Sequence, residues 1–182
     1  MSDPAPHEIL RPLRRVRQVR EFTAEAPPDA ALDAIADVGR WTGSAGNTQP
    51  WRFIVIRDEA VLRRLAEIGP PQTRALRTAT AAIAIVLPVR DDHATGDVYD
   101  DGRAAERLLI AASMLELAAG IQWIRDDVLE PVRDLLGLPP DRRVRTIIAL
   151  GYPSEAARQP KTAPGEARLP GDQVIFRERW PG

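Results

Sequence analysis

The stretch Trp41-Thr42-Gly43-Ser44-Ala45-Gly46-Asn47-Thr48-Gln49-Pro50-Trp51 decides how this chain is read. It passes from one tryptophan to another through small, hydroxyl and amide residues. No other stretch combines so many hydrogen-bonding side chains with so much backbone freedom. It reads as a loop that grips a planar, polar-rimmed ligand. Trp41 and Trp51 read as packing residues at its two ends.

The segments on either side set the fold class. Upstream, Pro27-Pro28-Asp29 opens a helix with Asp29 as N-cap, and Leu32, Ile35, Ala36 and Val38 form its buried face to about Arg40. Downstream, Trp51 to Ile56 is β-branched and aromatic, which predicts a strand. Asp58 then caps a helix carrying Val61, Leu62, Leu65 and Ile68, and Gly69-Pro70-Pro71 ends it. A short helical piece over 72–78 leads to Ala81–Leu87, apolar without alternation, so a central strand covered on both faces. Residues 88–100 read as a polar lid loop. A helix is predicted over 101–119, with Met114 and its alanines for packing, across a dimer interface among other places. Gly120 is its C-cap, followed by a short strand to Arg125. Val128–Leu136 is a further helix and Val144–Leu150 a further strand. Near the start, Ile9, Leu13 and Val16 predict an amphipathic helix over 8–18, with Pro12 in its first turn. Residues 17–22 turn extended, and the arginines at 17 and 20 can converge on one anion. After Gly151, proline, glycine and charge dominate, and 172–176 is a candidate edge strand.

Helices alternating with four or five short strands make an α+β or mixed α/β chain of one domain, 1–182, with a core over 8–153 and an extended arm over 154–182. Composition narrows the chemistry. The 182 residues suffice for a core, and a net charge of −1 argues against nucleic-acid or anionic-membrane binding. There is no cysteine, which removes disulfides, thiolate metal sites and thiol nucleophiles. His7 and His93 are far apart, so neither a histidine metal site nor a Ser-His-Asp triad is expected. No stretch reaches the roughly 18 apolar residues of a membrane span. The start is not a signal peptide, so the expected compartment is the cytoplasm. No Gly-x-Gly-x-x-Gly follows a strand. Lys161 is the only lysine, so any phosphate site rests mainly on guanidinium groups.

Four segments, in order, resemble the FMN-dependent nitroreductase family: Arg17–Phe22, Ser44–Trp51, the alanine-rich helix with Gly120 and Trp123 after it, and Leu150-Gly151-Tyr152-Pro153. The Ser-x-x-Asn-x-Gln-Pro-Trp element is the specific part. The resemblance covers roughly 8–170. It implies an α+β fold with a central, mostly antiparallel sheet flanked by helices. It implies a homodimer with FMN at the interface and C-terminal segments exchanged between subunits.

By position, the resemblance assigns Arg17, Gln18 and Arg20 to the FMN phosphate and ribityl chain. Val16 stands where the family has its first arginine, and Gln18 where it has serine. Ser44 and Asn47, with Gln49, approach the flavin, and Gly43 replaces the usual proline. Trp123, Ile124 and Arg125 correspond to backbone groups near the flavin's reactive nitrogen. Arg168 is the better match to a C-terminal phosphate-reaching base, Lys161 the second. The implied activity is NADH- or NADPH-linked, ping-pong reduction of nitroaromatics, quinones or similar electron-poor molecules. It needs no metal and no catalytic side chain beyond the flavin. The alternatives are another flavin role on this fold (storage, fragmentation, dehalogenation or dehydrogenation) and a non-catalytic dimeric module.

Overall fold

In the computed structural model, which describes residues 5–159, 162 and 168–180, four strands are paired edge to edge. They are β1 (Arg52–Ile56), β2 (Ala81–Pro88), β3 (Ala118–Trp123) and β4 (Arg142–Gly151). Their order is β1-β2-β4-β3, and every neighbour is antiparallel. β2 has a partner on each side, and its residues 81–87 are all buried. That is why its sequence shows no polar alternation.

The helices are α1 (Pro6–Ile9), α2 (Arg11–Arg15), α3 (Asp29–Arg40), α4 (Glu59–Ile68), α5 (Ala94–Met114), α6 (Leu129–Leu135) and α7 (Glu155–Arg158). β2 divides them into two layers. Ile83, Ile85 and Leu87 face a core with Leu32 and Ile35 of α3 and Leu108 of α5. Ala82, Ala84 and Val86 face the other core, with Leu62 and Leu65 of α4 and Val132 of α6. Each fully buried leucine or isoleucine contributes about 1.5–3 kcal/mol. Asp58 caps α4 as read from the sequence, accepting from the Ala60 N–H at 2.8 Å and the Val61 N–H at 3.4 Å.

Several expectations change. The helix expected over 8–18 is two short turns, α1 and α2, with Pro12 in the first turn of the second. Ile9 and Leu13 are exposed, and of this amphipathic stripe only Val16 packs against a core among the described residues. Asp29 is the first residue of α3 rather than its N-cap, which is Pro28. Val38 and Trp41 are exposed, whereas Trp51 is buried as expected.

The largest change concerns α5, which begins at Ala94, inside the expected lid loop, and ends at Met114. Gly120 is therefore inside β3 and not a helix cap. The first turns of α5 bury Asp97, Asp100 and Asp101. Arg90 donates to both oxygens of Asp97, at 2.8 and 2.6 Å. Asp100 accepts from the Ala45 N–H and pairs with Arg103. Asp101 accepts from the Thr146 hydroxyl at 2.6 Å. An inward face built from partnered carboxylates carries no hydrophobic periodicity, so the sequence there reads as loop.

After β4 the segment expected as an edge strand, 172–176, instead contains a 3-10 turn over Gly171–Gln173. Ile175 and Trp180 remain exposed, and the Phe176 and Trp180 rings meet edge to face at 4.7 Å. Among the described residues no helix is long and apolar enough to cross a membrane.

Candidate functional site

Residues 17–22 run along the outer edge of β3. The Val19 N–H donates to the Ala119 carbonyl at 2.8 Å, Gln18 bridges Ala119 in parallel sense, and Phe22 bridges Pro153. Gly120 makes this approach possible. A Cβ placed there would lie 2.1 Å from the Val19 carbonyl oxygen, so only glycine lets the two backbones lie in contact.

On this edge lies a cleft of about 810 Å³ lined by Arg17, Gln18, Arg20, Arg74, Arg77 and Thr78, with Glu21 and residues 156, 157 and 159. Gln18, Arg20 and Arg74 also line a second hollow of about 560 Å³, with Pro71, Gln72, Ile121 and Trp123. The first hollow is thus rich in guanidinium groups. The second adds amides, an aliphatic side chain and a half-exposed indole to Arg20 and Arg74. The set suits a ligand with an anionic end and a flat, polar-edged ring. A cavity of similar volume beside α5, lined by Tyr99, Arg103 and Arg143 among others, collects none of the residues singled out in the sequence.

The expected site residues fall into distinct places. Arg20 is exposed in the cleft, with no hydrogen bond or ion pair among the described residues. Gln18 lines both hollows, and its Oε1 accepts from the Ile121 N–H at 3.3 Å. Arg17 borders the cleft, but its guanidinium donates to the carbonyls of Ala157 (2.7 Å) and Arg158 (3.0 Å). The expected convergence of Arg17 and Arg20 on one anion is therefore not what the chain builds.

Of the 123–125 trio, Trp123 reaches the cleft through its side chain. Ile124 is fully buried and its N–H is engaged, donating to Arg145 O at 2.8 Å. Arg125 pairs with Asp127 at 2.7 Å and donates to Pro70 O at 2.6 Å. The hydrogen bond from Arg125 holds the Asp127 carboxyl below the usual carboxylate range. Arg168 is exposed on the C-terminal arm, and Lys161 lies outside the described residues.

The 44–49 loop lines neither hollow. It sits against α5, held by the Ala45 N–H to Asp100. The Ser44 hydroxyl accepts from the Gln49 N–H at 2.9 Å, and the Asn47 side-chain oxygen accepts from the Gln49 amide at 3.2 Å. Gly46, Asn47 and Gln49 have φ of 58°, 54° and 47°. Asparagine tolerates the left-handed region and glutamine does so less readily, so the loop holds a costly conformation. Gly43 leaves room for Arg103, whose Nη2 would lie 2.8 Å from a Cβ at position 43.

Sequence reading missed Gln72, Arg74 and Arg77. The 72–78 segment appeared only as a short helical piece, and its position beside residues 17–20 depends on pairing far along the chain.

Comparisons with known proteins bear on the fold and the family likeness. The sequence profile described as the Nitroreductase family matches residues 13–69. A protein of Archaeoglobus fulgidus, provisionally named an NADH dehydrogenase/NAD(P)H nitroreductase, is 29% identical over 179 residues, covering 95% of this chain and 99% of that one. An NADH dehydrogenase of Thermus thermophilus is 26% identical, covering 88% and 91%. Among solved structures, a provisionally named nitroreductase of Desulfovibrio desulfuricans in complex with FMN superimposes with a TM-score of 0.79, at 26% identity over 98% of this chain and 100% of that one. The chain thus resembles the nitroreductase family, in sequence over residues 13–69 and in fold along nearly its whole length.

Proposed function

We propose that this protein is an FMN-dependent oxidoreductase that uses NADH or NADPH to reduce nitroaromatics, quinones or similar electron-poor small molecules in a ping-pong cycle. The observation that carries this reading is the pair of hollows on the β3 edge that share Gln18, Arg20 and Arg74. They bring these residues together with Gln72 and Trp123. The site fits the cofactor on its donor set, which combines unpaired guanidinium groups with amide groups and an indole. The names of the relatives and the FMN held by the Desulfovibrio structure support the same reading. Bound there, FMN would supply hydride chemistry in two half-reactions, oxidation of the nicotinamide and then reduction of the acceptor.

The chain's own groups bind and orient. Arg20 and Arg74 place positive charge along the cleft, where it stabilises anionic character on the cofactor. Gln18, with its Oε1 engaged by Ile121, keeps its amide N–H₂ for a ribityl or ring oxygen. Trp123 offers an apolar wall that excludes water from one side. The 44–49 loop serves the cofactor of a second subunit, because in its own chain it faces α5 and not the cleft. Arg168, or Lys161, reaches the cofactor from the arm. The protein is accordingly a homodimer with FMN at the interface and arms exchanged, and it works in the cytoplasm.

The test is optical. The purified protein, alone or after addition of FMN, is expected to show a bound-flavin spectrum that bleaches within seconds of anaerobic mixing with NADH or NADPH. A protein that stays colourless with added FMN overturns the reading. Bound flavin that neither nicotinamide bleaches assigns the chain another flavin role.

A further inference from the structure

Granting the FMN reading, we propose that the cofactor's phosphate in this chain is held by Arg74 and Arg77 together with Arg20. Arg17 is instead a structural clamp on the C-terminal arm.

Four observations converge. First, Arg17 is committed elsewhere. Its Nη2 donates to the carbonyls of residues 157 and 158 at 2.7 and 3.0 Å, and its Nη1 to the Gln159 carbonyl at 3.5 Å. These are the last carbonyls of α7, where the arm leaves the body. A guanidinium turned onto three carbonyls has little left for an anion.

Second, residues 16–22 carry only two arginines, so with Arg17 engaged the segment offers the cleft one free guanidinium, that of Arg20. Further positive charge has to come from another element.

Third, Arg74 and Arg77 supply it from one 3-10 turn, Arg74–Arg77. Such a turn has three residues per revolution, so residues three apart project to the same side. Both line the cleft with Arg20. Arg20, Arg74 and Arg77 are exposed and have no hydrogen-bond acceptor or ion pair among the described residues. One carboxylate, Glu21, borders the same cleft and leaves the balance positive.

Fourth, the turn is fixed before any ligand arrives. Arg63 donates to the Leu76 and Ala79 carbonyls at 2.7 and 2.9 Å. The buried Gln122 side chain accepts from the Ala75 N–H at 3.2 Å. Ala75 and Leu76 are fully buried between the two arginines. The backbone that carries the forks therefore does not need to be ordered on binding, which is how a charged site gains affinity.

FMN differs from riboflavin by the phosphate alone, so the ratio of their affinities isolates the phosphate contacts. The full-length dimer, stripped of flavin, is titrated with each, following flavin fluorescence. For Arg74→Ala and Arg77→Ala, FMN affinity is expected to fall about ten- to a hundredfold each, with riboflavin affinity nearly unchanged. For Arg17→Ala, the FMN-to-riboflavin ratio is expected to stay at the wild-type value, whatever happens to the two affinities together. Arg77→Lys retains part of the ratio if the charge acts on phosphate. An unchanged ratio in both Arg74→Ala and Arg77→Ala overturns the proposal, and so does a ratio that collapses in Arg17→Ala. A wild-type protein that binds FMN no better than riboflavin also overturns it while leaving the FMN reading intact. Binding of neither flavin removes both.

Discussion

Asp101→Asn should change the way stability depends on pH more than it changes stability itself. Asp101 is buried between α5 and β4. One oxygen accepts from the Thr146 hydroxyl, and the other, Oδ1, has no partner among the described groups. Burial pushes its carboxyl up from 3.8 to about 6, against the lowering effects of the Thr146 hydrogen bond and of Arg145 and Arg143. A raised folded-state pKa means that the fold prefers the protonated acid. The contribution to stability is fully present below about pH 3.8 and is lost as the pH rises through about 6. Between those limits the difference corresponds to about 3 kcal/mol. Asparagine is neutral throughout and escapes this loss. It also places an N–H₂ donor where no acceptor waits, or turns it toward Thr146, at a pH-independent cost of about 1–3 kcal/mol. The informative quantity is therefore the difference in unfolding free energy between variant and wild type, from urea titrations at pH 4 and at pH 7.5. Titration of the other carboxylates cancels in that difference. It should move by about 2.5 kcal/mol in the variant's favour from pH 4 to pH 7.5, because part of the effect is already lost at pH 4. A difference that is flat with pH, or that moves the other way, would refute the claim that burial dominates at this site.

Gly120→Ala brings a methyl group against the Val19 carbonyl at 2.1 Å, a backbone atom that must itself shift. Overpacking of about 1–3 kcal/mol outweighs the roughly 0.5–1 kcal/mol that alanine gains over glycine in a strand. Thermal unfolding should show lower stability, and flavin titration weaker binding of FMN and riboflavin alike. Arg90→Ala strands the carboxylate of Asp97, which is 2% exposed, without its bidentate partner. Urea denaturation should show a clear loss of stability, and adding Asp97→Asn should recover most of it. If the double variant is no more stable than Arg90→Ala alone, the buried charge is not the cause.

How much of the molecule could be read in advance follows from the range of the forces involved. β2 was plain in Ala81–Leu87, because a strand covered on both faces has no reason to alternate. The cap on α4 was plain because Asp58 acts on N–H groups two and three residues away. The α5 start was invisible because its buried face is made of Asp97, Asp100 and Asp101, whose partners are Arg90, Ala45 with Arg103, and Thr146. Two of those three contacts span 45 and 55 residues of chain. Composition assigned the carboxylates to solvent, and tertiary pairing brought them inside.

The 41–51 stretch shows the same division. By itself the sequence determined that this is a loop of small and amide residues, that a strand follows it, and that its motif resembles that of the nitroreductase family. Those are properties of near neighbours and of residue type. Only the tertiary structure decided that the loop lies on α5, away from the arginine cleft. It also decided that Arg17 turns to the carbonyls of α7, and that Arg74 and Arg77 stand beside Arg20. Where a guanidinium is directed depends on which acceptor the fold brings within 3 Å of it, and that is settled by packing between segments distant in sequence.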